Sequence, residues 1–477
     1  MKSTQLHAFN DDALWTHDAV TLADLLKRRS VSSAELVEAA ITRAERVDGV
    51  LAAIQLRDYD KARAVTELPH NGIFAGIPSF IKDNTNIAGW PTCHGSGAVP
   101  SRLAKKDGSF AQQFLSLGLV LLGKSRLPEF GFNCTTEFEH AAPCRNPWHT
   151  EYSCGGSSGG SAALVAAGVV PLAHANDGGG SIRIPAACCG LVGLKSTRGR
   201  FITHEMAKSL PLNVVCDGVV SRSVRDTAHA VAGLERYWRN RKLTEVGLVE
   251  GPGKRKLRIG LMMHSLVGQM PCEQTRIAVD SIARLLESEG HSIVPVSQPC
   301  KSTFSSDFGN YWGLLAFVTG RLGKREFGKQ FDRSKFDGFT KSLGGLFVKG
   351  WARTPFALVR LHRTGQHFAK AMMELDAVLS PVVGHVTPKL GHLSPQVDFE
   401  QLIVRLTQYA SYTPLNNANG SPAISIPAGL SHEGLPIGIQ LAGRHGDERT
   451  LLELAYQIEQ LQPWSQLFSQ TAGLLDL

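Results

Sequence analysis

Residues 155–185 read Gly155-Gly-Ser-Ser-Gly-Gly-Ser161, then a run of small apolar residues, then Asn176-Asp-Gly-Gly-Gly-Ser181-Ile-Arg-Ile-Pro185. Two serines, Ser157 and Ser181, sit in glycine-dense backbone twenty-four positions apart. Glycine adopts backbone conformations that a side chain forbids, so such clusters bring amide N–H groups close to a ligand. A serine among them is a candidate nucleophile with oxyanion donors beside it. The flanks read as structured elements. Ser161–Ala167 predicts a helix that starts at the first cluster, and Val169–Ala175 a strand that carries Asp177 and Ser181 to a loop at its end. A flexible Gly-Ser linker would lack those apolar flanks.

A serine hydroxyl is a weak nucleophile until a base takes its proton. Lys82, in Gly76-Ile-Pro-Ser-Phe-Ile-Lys82-Asp-Asn84, is the candidate base, at the end of a strand predicted over Ile73–Ile81. In water roughly one lysine in two thousand is neutral at pH 7, so Lys82 must be desolvated or placed near other positive groups. Bringing its pKa near neutrality costs about 4 kcal/mol, which a buried site can impose. Serine–lysine pairs are an alternative to Ser–His–Asp.

Further out, Ser32-Ser-Ala-Glu35 reads as a capping box, followed by a helical apolar stripe from Leu36 to Val47. Leu119–Leu122 predicts a buried strand. Leu257–Met262, Glu273–Glu287 and Ser292–Val296 predict a strand–helix–strand unit. Leu375–Pro381 and Ala423–Pro427 follow as strands, and Thr450–Leu461 as a closing helix. This alternation predicts an α/β fold with a mixed, largely parallel sheet covered by helices on both faces. Residues 301–372, rich in Phe, Lys, Arg and Gly, break the rhythm. They predict helices packed over the core as a lid and part of a substrate channel, with Trp312 and Trp351 among them.

The lysine segment, the Gly-Gly-Ser-Ser segment, Asp177–Pro185 and Gly190-Leu-Val-Gly-Leu-Lys195 together resemble the amidase signature family of Ser–Ser–Lys hydrolases. Asn419-Gly-Ser-Pro-Ala423 and Gly434-Leu-Pro-Ile-Gly-Ile-Gln440 extend the resemblance toward the C-terminus. It implies a single α/β/α domain over residues 1–477, one large twisted sheet, a catalytic core segment at 60–235 and a variable helical insertion at 301–372. It also implies roles. Ser181 attacks an amide carbonyl, and Ser157, after a cis peptide bond with Gly156, relays the proton to Lys82. The N–H groups of Gly178, Gly179, Gly180 and Ser181 hold the oxyanion. Asp177, Arg183 and Ser158 support the loop, with Asp83 in a similar duty. No metal or organic cofactor is implied; the partner is a small-molecule amide, and many relatives pair as homodimers.

Ala175-Asn176, Gly178 and Ser196 depart from the usual family pattern, but none removes a catalytic group. The Asp-Gly-Gly-Gly-Ser form with Cys188-Cys189-Gly looks most like the 6-aminohexanoate-cyclic-dimer hydrolase branch, which does not assign a substrate. A second class shares this core: the A subunit of glutamyl-tRNA amidotransferase, which works in a complex. Its typical Ser-Arg-Tyr-Gly-Leu and Ser-Leu-Asp-Gln stretches are missing from Phe201–Leu210, which favours a free-standing hydrolase.

Composition narrows the classes. The chain has 477 residues, 43% hydrophobic and 19% charged, as in an ordinary globular protein with a sizeable core. No apolar run is long enough to predict a membrane span, and the N-terminus lacks the pattern of a signal peptide. Nine cysteines without metal-like pairs point to reduced thiols in a cytoplasmic protein, Cys188 and Cys189 being small buried residues. The net charge of +8 lies in basic clusters without zinc-finger or RNP-like patterns, so a solvated face, not nucleic-acid binding, is expected.

Three other motifs compete. Gly118–Ser125 matches the Walker A expression, but its middle is a hydrophobic strand and Pro128 follows closely. Gly156–Gly160 fits a nucleophile elbow centred on Ser158, which needs a preceding strand that residues 145–154 do not suggest. Ser79-Phe-Ile-Lys82 fits the Ser-x-x-Lys of penicillin-recognising enzymes, whose partner motifs are absent.

Overall fold

The computed structural model describes residues 5–208 and 210–464. Residues 1–4, where the leader pattern was sought, and the C-terminal end of the expected 1–477 domain lie outside them. A three-stranded sheet comes first: β1 (Ile54–Arg57), β2 (Pro78–Lys82) and β3 (Val120–Ser125), in the order β1-β3-β2. A short antiparallel hairpin follows, β4 (Arg145–Asn146) and β5 (His149–Ser153). It corrects the expectation that 145–154 is not a strand: with only one partner strand, the hairpin shows no buried alternation in sequence.

The main sheet has eight strands: β6 (Leu172–Asp177), β7 (Val192–Lys195), β8 (Cys216–Ser221), β9 (Arg258–Leu261), β10 (Ser292–Pro295), β11 (Ala377–Pro381), β12 (Ala423–Leu430) and β13 (Pro436–Gly443). Their order is β10-β9-β11-β13-β12-β7-β8-β6. The ladders make β8 to β12 run one way and β6, β7 and β13 the other, so most strands share a direction in a mixed sheet. Parallel neighbours are confined to β10-β9-β11, the predicted strand–helix–strand end, with Glu273–Ser288 as the connecting helix. From β11 to β6 every adjacent pair is antiparallel. The β12–β13 connection, a turn closed by the Ser431 N–H donating to Leu435 O, is too short for a crossover.

Alternation along a strand puts helices on both faces. A Cβ at Gly438 would meet Ala187 of the helix Arg183–Cys189, whereas one at Gly443 would meet Leu451 of the helix Glu448–Leu461. The capping box at Ser32 and Glu35 opens the helix Ser33–Leu51. Residues 301–372 form the helices Phe304–Glu326, Gly338–Gly350 and Thr354–Ala371. Among the described residues no helix is long and apolar enough to cross a membrane.

Two features position Lys82 beside the glycine loop. Strand β2 is buried along its whole length beside β6, and the Ser79 hydroxyl donates to Leu172 O at 3.0 Å. The Lys82 N–H donates to His174 Nδ1 at 3.2 Å. These side-chain links join the two sheets and bring Lys82, at the end of β2, level with the end of β6, where the glycine loop begins.

Candidate active site

Lys82 is fully buried, and its Nζ has three oxygen neighbours: Asn176 Oδ1 at 2.6 Å, Ser157 Oγ at 2.7 Å and Ser158 Oγ at 2.9 Å. Burial lowers its pKa from 10.5 to about 7, against the opposing pull of Asp217 and Asp177. A neutral amine has two N–H donors and one lone pair. The Asn176 carbonyl can only accept, so it takes one N–H. Ser158 Oγ donates its own hydrogen to Asn176 O at 3.2 Å and therefore also accepts from Nζ. Both N–H groups are thus engaged, and the lone pair faces the Ser157 hydroxyl.

The Gly156–Ser157 peptide is cis. Ser157 is buried, and a Cβ at Gly131, where φ is +72°, would stand 3.0 Å from its Oγ. Behind Lys82, His174 accepts the Lys82 N–H at Nδ1, which puts its proton on Nε2, 3.4 Å from Asp217 Oδ1. Burial lowers the His174 pKa, against the opposing pull of Asp217.

Ser181 follows β6 on the loop 178–180 and is 8% exposed, at the wall of a cavity of about 160 Å³. Asp177, at the start of the loop, is its anchor. Burial acts to raise the Asp177 pKa, but the Arg183 guanidinium and the Asn417 amide hold it well below the usual carboxylate range. Arg183 donates to both Asp177 oxygens at 2.9 Å, to Gln440 Oε1 at 2.6 Å and to Asn417 Oδ1 at 2.7 Å. Asp177 also accepts the N–H groups of Gly180 and Ile182 at 2.7 and 3.1 Å. This corrects one expectation. The Gly180 N–H faces its own loop's carboxylate, leaving Gly178, Gly179 and Ser181 as candidate oxyanion donors.

The helix Phe304–Glu326 lies over this loop. Phe304, Phe308 and Trp312, one helical turn apart, stack at centroid distances of 5.9 and 5.6 Å. A Cβ at Gly178 would come within 3.1 Å of the Trp312 ring and one at Gly179 within 3.6 Å of Phe308. The Trp312 Nε1–H donates to Phe132 O at 2.9 Å, holding the ring over the cavity mouth. Trp351, grouped with Trp312 from the sequence, is 66% exposed and lines no part of this cavity, because it ends its helix on the outer side.

The remaining motif residues are accounted for. Ser158 is buried with its hydrogen committed to Asn176 O, so the elbow reading has no free nucleophile despite the strand β5. Lys124 of the Walker-like stretch is buried in β3 and donates to Pro91 O and Thr92 Oγ1 at 2.7 and 2.6 Å. Asp83 points away from Lys82 Nζ, toward Lys124 at 3.3 Å; burial raises its pKa to about 6. All nine cysteines are free. Among the described residues no His, Cys, Asp or Glu group is arranged to hold a metal ion.

Sequence reasoning noticed Asn176 only as a departure from pattern and gave no role to His174, Asp217 or Asn417. Long-range contacts bring these to the site, and no local spacing signals them.

Known proteins are similar to this chain in sequence and in fold. The Amidase family profile matches residues 35–452. A putative amidase AmiC of Mycobacterium leprae is 44% identical over 464 residues, covering 97% of this chain and 99% of its own length. The 6-aminohexanoate-cyclic-dimer hydrolase of a Pseudomonas strain is 32% identical, covering 94% of this chain and 96% of its own. Among solved structures, a 6-aminohexanoate cyclic dimer hydrolase complexed with substrate superposes with a TM-score of 0.84 at 28% identity, covering 94% and 98%. A bacterial aryl acylamidase of the amidase signature enzymes also gives 0.84, at 25% identity and 96% and 98% coverage. The family match over most of the chain, and relatives aligned almost end to end, make the chain a member of the amidase family, with the amidase-signature fold.

Proposed function

We propose that this amidase hydrolyses a small, uncharged, largely apolar carboxamide through an acyl-enzyme on Ser181. The observation that carries the mechanism is the hydrogen-bond inventory at Lys82: Asn176 and Ser158 occupy both N–H groups, and the lone pair is left for Ser157. Ser181 Oγ attacks the carbonyl carbon while its proton passes through Ser157 to Lys82 Nζ. The N–H groups of Gly178, Gly179 and Ser181 stabilise the oxyanion. Collapse breaks the C–N bond as the proton returns through Ser157 to the leaving nitrogen. Water then attacks the acyl ester by the same relay and releases the carboxylic acid. An ester of the same acyl group follows the same steps.

The substrate class comes from the cavity. Its walls include Phe132, Phe304, Phe308, Trp312 and Phe339, and none of its lining residues carries an Asp, Glu, Lys or Arg side chain. Glutamine, with its ammonium and carboxylate, finds no counter-charge there, which speaks against the amidotransferase alternative. An apolar or aryl amide matches instead.

The test is a panel of neutral aryl and alkyl amides with the purified chain alone. Turnover and fluorophosphonate labelling both vanish in Ser181→Ala. Labelling that persists in that variant, or turnover of glutamine only with partner subunits, overturns the proposal.

A further inference from the structure

A second cavity, of about 330 Å³, shares no lining residue with the one at Ser181. Its floor is the face of β11 and β13 on which Val378 stands opposite Ala442 and Ser380 opposite Gln440. Phe368 and Met372, at the end of the lid helix Thr354–Ala371, form one wall, and Leu415 and Asn416 another. Most of this lining is apolar. Three buried polar side chains, Ser380, Asn416 and Gln440, are set into it, each about 1% exposed.

These groups have donors and acceptors to spare. Gln440 accepts from Arg183 at 2.6 Å and donates to Ser380 Oγ at 3.2 Å, a long bond that uses one of its two N–H donors. Asn416 donates to Ser421 Oγ at 2.9 Å. Apolar walls with a few convergent hydrogen-bonding groups are what a small-molecule site requires. No charged side chain lines the cavity. A carboxylate or an ammonium ion, the charged products that hydrolysis of an alkyl amide gives at neutral pH, would be desolvated there without a partner. An intact amide would not.

From this geometry we infer that the cavity is a second binding site, and that it takes a small uncharged molecule with an apolar body and an amide head. The ligand class rests on the reading of the substrate as an uncharged amide, so the site binds molecules of the substrate's kind and not the products. The amide head meets Gln440 and Asn416, and the body lies against Phe368, Met372 and Val378.

Calorimetric titration of Ser181→Ala protein with hexanamide tests the site. Two binding events are expected. Ala371→Trp, at the exposed rim, and Val378→Phe, in the floor, each weaken one event at least about tenfold and leave the other unchanged. Thermal melting identifies a variant that misfolds, and loss of the event in either folded variant supports the site. One or two events in Ser181→Ala that neither folded variant alters overturn it. Ammonia release from hexanamide by Ser181→Ala would undo the nucleophile assignment alone, and the binding events would still decide the second site.

Discussion

Lys82 Nζ and Asn176 Oδ1 lie 2.6 Å apart, the shortest of the three contacts around the amine. A side-chain carbonyl here takes an N–H of the neutral amine without adding the negative charge that would favour the ammonium. Asn176 therefore orients the Lys82 amine while leaving burial to lower its pKa.

The pH profile follows from that arrangement. In the proposed mechanism Lys82 works when neutral, so kcat/KM rises with pH through about 7, where burial places the Lys82 pKa. Asn176→Asp puts a carboxylate beside the amine and moves this acid limb about one to three pH units alkaline. Asn176→Ala lowers kcat without such a displacement. A profile in Asn176→Asp identical to that of the natural protein would remove Lys82 as the titrating base.

Lys82 should also destabilise the fold in acid. Its folded pKa of about 7 lies below the unfolded value near 10.5, so the unfolded chain binds the extra proton between them and stability rises with pH over that window. Below pH 7 the buried site withholds about 5 kcal/mol of stability relative to strongly alkaline solution. Lys82→Met lacks this dependence, so its stability relative to the natural protein is greatest near pH 6 and declines toward pH 10. Urea denaturation at several pH values measures the difference, and a constant difference would contradict it.

Arg183→Ala leaves the buried Asp177 carboxylate without its two guanidinium bonds. The expected destabilisation is about 3–5 kcal/mol, with loss of activity because Asp177 anchors the Gly180 N–H and the loop that carries Ser181. Arg183→Lys should rescue little, since one ammonium cannot reproduce the fork toward Asp177, Gln440 and Asn417. Denaturant midpoints and turnover measured together check both statements.

Trp312 and Trp351 should behave differently. Trp312→Ala removes the ring against Gly178 and changes KM and amide preference by about tenfold or more, whereas the exposed Trp351→Ala changes stability by less than about 0.5 kcal/mol. Equal effects of the two on an amide panel would refute the difference.

Much of the site was legible because its signals are local. Glycines around Ser157 and Ser181, and a lysine closing a short apolar strand, are visible within single windows of sequence. Element limits shifted by a few residues: the strand expected from Ile73 starts only at Pro78, after a turn at 74–77. The run of antiparallel neighbours from β11 to β6 was not legible, since each short strand reads alike whichever way its partner points.

The chain's order of residues by itself determined the chemistry on offer: two serines in backbone free of side chains, one lysine, and alternating apolar segments that can only bury themselves as layers. What the amine does with its hydrogens was decided by tertiary structure. Asn176, Ser158 and Ser157 reach Lys82 across 75 to 94 positions of chain, and Asn417 and Gln440 reach Arg183 across more than 230. Such contacts depend on which strands become neighbours, and that is set by burial of the whole sheet, not by any window of sequence.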